Sequence, residues 1–392
     1  MRRNTLPGLL GAGLLLALGS IMLINLWRLP DVPDAPGLAV QPRSAVTVDG
    51  AQAAARLSTA IRVRTVSGSA GEADFRAFHR LLEQQFPLLH QRLQRDMVGP
   101  GSVLYTWQGS SRSLAPILLT AHIDTVAAAP AGWTHPPFSG AIADGHVWGR
   151  GAMDMKSALM ATLEAVEALT RYGFTPRRTV LLAFSHDHES GAQRGAAALA
   201  ALLRERNAYA LFSLDEGAYL LQGFFPGVRR PVAQVGVAEK GYLSLQLQAH
   251  RDDSGASAIG RLGAALARLE ETPMPVRMDG PGRDSLRTLA QALPLPLQLA
   301  LANDRLMAPL WVRAATASPG LNAMLRTTSA PTMIAGGTPD GLEPASVSAV
   351  LNFRLAPGDT IADVKAHVRQ AVADSAIALS DHGALRAEAS MT

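Results

Sequence analysis

The chain has 392 residues, 48% hydrophobic and 17% charged, which at roughly 150 residues per domain is enough for about two or three domains with full cores. It contains no cysteine, which excludes disulfides, thiolate metal sites and a cysteine nucleophile, so any bound metal must be held by His, Asp and Glu. Lys and Arg (36) nearly balance Asp and Glu (32), and with no long basic run nucleic acid is not the expected partner.

In chain order, the first feature is Gly8 to Trp27, an unbroken stretch without charge. At about 1.5 Å per helical residue it is long enough to cross a bilayer core, and it reads as a membrane span. Arg2 and Arg3 before it favour a cytoplasmic N-terminus with the remainder outside. A cleaved signal peptide, leaving a secreted protein, is the alternative. Residues 29–45 carry Pro30, Pro33, Pro36 and Pro42 and read as an extended linker.

From Val46 to Gly236, apolar strand-like runs alternate with helical stripes, the pattern of an α/β layer with a largely parallel sheet and helices on both faces. Pro116 to Ala121, Thr179 to Phe184 and Ala210 to Leu214 read as buried strands. Between the first two, Leu159, Leu163, Val166 and Leu169 recur at helical spacing, and Ala192 to Arg204 is a second Ala/Leu-rich helix. From Val237 the pattern changes. Strands at Tyr242–Leu247 and Ser346–Leu355, with helices at Ile259–Glu271 and Ile361–Ala373, imply a smaller α+β domain over 237–378, followed by a tail over 379–392. The Leu/Pro-rich piece from Pro273 to Leu325 reads as helical insertions.

Acidic and imidazole side chains interrupt these strands at one kind of place. His122 and Asp124 follow the first strand, Asp154 follows Gly149-Arg150-Gly151, His186 to Glu189 follow Phe184, and Asp215-Glu216 follow Leu214. In an open α/β sheet, ligands bind outside the carboxyl ends of the strands, so these groups could converge. Taken singly, each is far more often a helix cap or a solvated turn than a ligand. Four at equivalent strand ends favour a metal site instead, since such oxygen and nitrogen donors suit zinc and a carboxylate such as Asp154 can bridge two ions. Trp133, Phe138 and Trp148 read as packing residues.

The segments Leu119 to Val126, Gly132-Trp133, Pro136 to Gly140 and Gly149 to Lys156 resemble the di-zinc aminoacylase and carboxypeptidase S family. Within it they are most similar to the N-fatty-acyl-amino-acid synthase/hydrolase branch. The similarity continues through His186 to Gly191, Ser213 to Gly217, Glu239 to Gly241, Arg268 to Pro275 and Asn352 to Arg354. It implies a zinc-peptidase-like catalytic domain over 46–236 with a lid domain that can mediate homodimerisation. It also implies two Zn2+ ions and cleavage of amide bonds in N-acyl amino acids or small peptides by metal-activated water. His122 and Asp215 would hold one ion, Asp154 would bridge, Glu189 would hold the other and Asp124 would orient His122. Arg354 would meet a substrate carboxylate, a structural salt bridge being the alternative.

The sequence departs from this family in four places. Where the family has two adjacent glutamates, the first acting as general base, this chain has His188 before Glu189. His188 is the candidate catalytic residue there, with impaired chemistry or a different base expected. A catalytically impaired or inactive relative that keeps partial metal binding or an interaction role is the alternative function. The lid segment Ala249 to Gly255 replaces a Gly-His-Ser-like motif, with His250 in place of the oxyanion-stabilising histidine. Gly341 stands where an asparagine is expected. No motif-matched counterpart of the last zinc-ligand histidine precedes Thr392, and His382 reads as part of a solvated tail.

Overall fold

A computed structural model of the protein describes residues 6–29, 46–217, 220–222, 228, 231–251, 256–383 and 386–391. The chain divides into a unit of Val40–Gly217 and a unit of Met1–Ala39 with Ala218–Thr392; the first helix, α1 (Leu6–Trp27), belongs to the latter.

The Val40–Gly217 unit begins with α2 (Gly50–Arg62), whose N-terminal Ala51 and Gln52 N–H groups are capped by the Asp49 carboxylate. Helices α3 (Glu72–Gln85) and α4 (Pro87–Arg92) lead into the hairpin β1 (Gln94–Val98) and β2 (Ser102–Trp107). Next come β3 (Ile117–His122), the small hairpin β4 (Ala141–Ala143) and β5 (His146–Trp148), and α5 (Ser157–Arg171). The unit closes with β6 (Val180–Ser185), α6 (Ala196–Glu205) and β7 (Ser213–Leu214).

The five-stranded sheet has the order β1-β2-β6-β3-β7. Strands β6, β3 and β7 are parallel, the crossovers carrying α5 and α6, and β2 and β1 extend the sheet in antiparallel pairing. Period-two alternation builds a core on each face. Val103, Tyr105 and Trp107 of β2 with Leu182 and Phe184 of β6 pack on α3, α4 and α5 residues such as Phe78, Leu89 and Leu163. Leu104, Leu181 and Ala183 face the other way, onto Leu199 of α6. The α/β class with helices on both faces is therefore the fold observed, with the parallel strands β6, β3 and β7 forming one side of the sheet out to its edge.

In the other unit, β8 (Leu220–Leu221) pairs with β9 (Val232–Ala233), and β10 (Ala238–Glu239) is followed by β11 (Gly241–His250) and α7 (Ala258–Glu271). Helices α8 (Gly280–Leu289), α9 (Leu295–Ala302), α10 (Ala308–Ala317) and α11 (Pro319–Leu325) fill the Leu/Pro-rich piece. Then come β12 (Thr328–Ala335), β13 (Ser346–Leu355), α12 (Ile361–Val372), β14 (Ile377–Asp381) and β15 (Ser390–Met391), which pairs with β10. The antiparallel sheet β12-β13-β11-β14 buries alternate residues Leu243, Leu245 and Leu247 of β11 and Leu351, Phe353 and Leu355 of β13 with Leu262 of α7 and Val364 of α12.

The stretch expected to span a membrane requires correction. Leu6–Trp27 is helical, but among the described residues no helix is long and apolar enough to cross a membrane, which overturns the transmembrane anchor and the tethered location derived from it. The C-terminal end of α1 meets protein instead. Leu29 is buried in a cluster with Leu301 and Trp311, Asn25 Nδ2 donates to Asn303 Oδ1 at 2.9 Å, and Asn303 Nδ2 donates to the Met22 carbonyl at 3.3 Å. The amide pair meets its hydrogen-bond needs inside the chain. Arg2, Arg3 and the linker prolines lie outside the described residues, as do Asp252 to Gly255 of the altered lid segment.

Candidate metal centre

The parallel strands deliver their side chains at one end. His122 is the last residue of β3, His188 and Glu189 lie in a single turn after β6, and Glu216 follows β7 by two residues. Asp154 comes from the irregular turn between Gly151 and α5. Gly151 sits at φ +80°, and a Cβ there would lie 2.5 Å from Thr125 Cγ2, so a glycine is required for this turn to approach β3.

His122 is buried, and its orientation is fixed from behind. Its Nδ1 donates to the Asp124 carbonyl at 2.9 Å, with the Asp124 carboxylate 3.4 Å away, which leaves Nε2 to face Asp154 Oδ1 at 2.9 Å and Glu216 Oε2 at 3.9 Å. Burial opposes charge on His122, but hydrogen bonding and attraction from Asp124, then Glu216, carry its pKa up to about 9. Asp124 is fully buried and does more than orient the ring. Its carboxylate accepts from the His188 N–H (3.1 Å), the Glu189 N–H (3.0 Å) and the Ser67 hydroxyl. Burial pushes the Asp124 carboxyl upward, yet these donors and His122 hold it below the usual carboxylate range.

Two groups of three have all their ligand atoms within 4.8 Å of one another among the described residues: His122 with Asp154 and Glu189, and His122 with His188 and Glu216. Burial and then the neighbouring Asp154 push Glu189 above its ordinary pKa; burial also raises Glu216, with His122 opposing and Asp154 adding. Carboxylates crowded this way relieve their repulsion when a cation sits among them, so the donor set fits a metal ion. Of the expected site residues, the structure therefore brings together His122, Asp124, Asp154, His188 and Glu189. Among the described residues Asp215 joins neither group: its Oδ1 accepts from the Glu216 N–H at 2.9 Å, and it is Glu216 that lies within reach of His122 and His188. Arg354 belongs to the other unit, on β13, where its guanidinium lies 4.9 Å from the centre of the Tyr242 ring. His382 donates its backbone N–H to the Ser244 carbonyl of β11.

Two residues beyond Asp154, Lys156 is wholly buried and, among the described residues, has no carboxylate partner at hydrogen-bonding distance. Its Nζ donates to the Ala60 (3.0 Å) and Val63 (2.8 Å) carbonyls at the end of α2 and lies 5.1 Å from the Phe78 ring centre. Burial brings its pKa down to about 7, against attraction from Asp124. The ammonium fastens the Asp154 turn to the orphan carbonyls of a helix C-terminus. Sequence reasoning missed Glu216, Ser67 and this use of Lys156. The adjacent Asp215-Glu216 pair signalled the strand end but not which acid turns inward.

Known proteins resemble this chain in sequence and in fold. The family model for peptidase family M20/M25/M40 matches residues 118–387. The chain is 38% identical over 335 residues to N-fatty-acyl-amino acid synthase/hydrolase PM20D1 of Mus musculus, covering 82% of this chain and 67% of that protein. It is 36% identical over 352 residues to probable carboxypeptidase S-like 2 of Dictyostelium discoideum, covering 86% and 68%. The chain thus spans about two thirds of the length of these relatives. In fold it resembles the M20 family metallo-carboxypeptidase Sso-CP2 of Sulfolobus solfataricus, with a TM-score of 0.55, 19% identity and coverage of 83% of this chain and 77% of that one. It also resembles human carnosine dipeptidase 1, with a TM-score of 0.54, 14% identity and coverage of 87% and 78%.

Proposed function

Because the chain belongs to peptidase family M20/M25/M40, a family of metal-dependent hydrolases, we propose that it is a zinc enzyme cleaving the amide bond of N-acyl amino acids or small peptides. The observation that carries this reading is the convergence of His122, Asp154, Glu189 and Glu216 at the carboxyl ends of parallel strands. Relatives named N-fatty-acyl-amino acid synthase/hydrolase support the acyl-amino-acid substrate, and carboxypeptidase S-like relatives support the peptide alternative.

Zinc, when bound, would polarise the scissile carbonyl and acidify a water molecule. The chain's own part is to hold and orient. His122 presents Nε2 because the Asp124 carbonyl occupies Nδ1. Asp154 faces His122 and stands in one ligand group with it and Glu189, while Glu216 stands with His122 and His188 in the other, so these side chains would hold the metal. Asp124 fixes the turn that carries Glu189 through its backbone N–H, so the Glu189 carboxylate meets the others without a search through loop conformations.

The test uses the purified full chain with zinc, offered a long-chain N-acyl amino acid and, separately, a dipeptide, with release of free amino acid as the readout. Hydrolysis of one of them that stops on chelation and returns with zinc is the expected result. Zinc-loaded, folded protein that cleaves neither, or cleavage indifferent to chelation and to Asp154→Ala, overturns the reading.

A further inference from the structure

We propose that Lys156 is a positioning residue of the metal centre: its buried ammonium clamps the turn that carries Asp154 onto a stretch of chain, residues 60–67, that also braces Asp124 behind His122. The clamp thereby sets Asp154 against His122. The inference rests on the metal-hydrolase reading and deepens it by naming what holds that site in shape.

The Asp154 side chain has little support of its own. It is two-thirds exposed, and among the described residues its one hydrogen-bond partner is His122 Nε2 at 2.9 Å. Its carboxylate therefore goes where its backbone goes. That backbone leaves helical geometry at Asp154 (φ −119°, ψ 99°), and the turn is closed by the Lys156 N–H on the Gly151 carbonyl at 2.9 Å. The Lys156 side chain then ties the turn to the unit behind it. Its Nζ donates to the Ala60 and Val63 carbonyls at 3.0 and 2.8 Å, and the Phe78 ring centre, 5.1 Å away, lies within cation–π range of the same ammonium. Among the described residues none of these contacts involves the Asp154 carboxylate, so the ammonium steers the turn without competing with a cation for its oxygens.

The same stretch of chain supports the other ligand. The Val63 carbonyl that takes the Lys156 proton also accepts from the Thr65 N–H at 3.1 Å. Thr65 brackets Asp124: its hydroxyl donates to the Ile123 carbonyl at 2.7 Å, and its carbonyl accepts from the Thr125 N–H at 2.9 Å. Ser67 adds its N–H to the Thr125 carbonyl and its hydroxyl to the Asp124 carboxylate. Asp124 in turn takes the His122 Nδ1 proton on its carbonyl. The two partners of the His122–Asp154 contact thus reach one support by two routes, and the Asp154 route passes through a single ammonium. An apolar side chain at 156 would fill the space but leave the Ala60 and Val63 carbonyls, at the C-terminal end of α2, without this donor.

The experiment is a Co2+ titration of the metal-free full chain, read by ligand-field absorption, for wild type, Lys156→Met, Asp154→Ala and the double variant, with circular dichroism confirming folding. Lys156→Gln keeps one donor group and carries the same comparison if the methionine variant does not fold. Lys156→Met is expected to weaken Co2+ binding about 10–100-fold, the loss typical of residues behind a metal ligand, and Lys156→Gln less. In the Asp154→Ala background the same change should alter affinity by no more than about twofold, because the clamp has no carboxylate left to place. A lysine that is merely structural would weaken both backgrounds alike. Equal losses in the two backgrounds, or wild-type affinity in the folded Lys156 variants, would overturn the inference and leave the hydrolase reading standing. Folded wild-type protein that binds neither Co2+ nor Zn2+ would overturn both.

Discussion

At the ends of β3 and β6 the Val40–Gly217 unit buries His122, Asp124, His186 and Asp187, and it also buries Lys156 and, on α5, Glu164 and Glu167. Along β11 and β13 the other unit buries leucine, valine, alanine and phenylalanine on alternate positions beneath α7 and α12. The first region obtains order from hydrogen bonds and charge. Glu167 accepts from the Leu88 and Leu89 N–H groups at the start of α4, and Asp187 accepts from the Arg194 and Gly195 N–H groups ahead of α6. The second obtains it mainly from apolar area, with polar contacts such as Asn352 to Ser244 added at the strands. Each buried polar group left without a partner costs stability, so the first arrangement is costly to build and specific in what it positions, while the second is a robust support.

If that contrast is sound, substitutions in the two regions should move different observables. The largest effect is expected from Asp154→Ala, which should cut zinc-dependent hydrolysis by a factor on the order of 10³ or more while shifting the melting temperature little, since Asp154 is two-thirds exposed. Phe353→Ala should do the reverse, costing about 3–5 kcal/mol in denaturant unfolding while zinc affinity of the folded protein stays unchanged. A fall in zinc affinity in that variant would erase the distinction. Asp124→Asn keeps the shape but weakens the hold on His122 and the Glu189 turn. It should lower metal affinity by about 10–100-fold, read by competition with a chelating dye.

The smallest effect concerns acid. His79 is buried, with Nε2 donating to the Gly101 carbonyl and Nδ1 without a partner, and burial holds its pKa below the ordinary 6.5. The folded protein thus binds fewer protons here than the unfolded chain, and stability should fall as pH drops below about 6.5 toward the lowered folded value. His79→Gln keeps the donor and removes the titration, so its unfolding free energy should fall less between pH 7 and pH 5 than that of wild type. An unchanged slope would exclude His79 as a source.

The sequence made some of this plain and hid the rest. Strands β3, β6 and β13 and helices α5, α7 and α12 were legible because each has one uninterrupted period, apolar runs for the doubly covered strands and a 3.6-residue stripe for the helices. The β1-β2 hairpin was not, since Gln94–Val98 is mostly polar and only its pairing to Ser102–Trp107 makes it a strand. The stretch from Ala210 reads as a five-residue strand, but only Ser213–Leu214 pair in the sheet. His122, Asp154 and Glu189 stood out by their place after strands. Glu216 did not, because the choice between two adjacent acids is made by a turn in which Asp215 folds back onto its neighbour's N–H. The apolar run at Gly8–Trp27 misled through length and lack of charge, which record nothing of the Asn25–Asn303 amide contact.

The account's central claim is that the strand ends of the Val40–Gly217 unit form a metal centre built around His122. The most direct measurement is the zinc content of the folded full chain after zinc loading and removal of the excess, for wild type and His122→Ala side by side. Near-stoichiometric zinc in wild type that is lost in His122→Ala is the predicted result. Folded wild-type protein without zinc, or the same zinc content in both proteins, would contradict it.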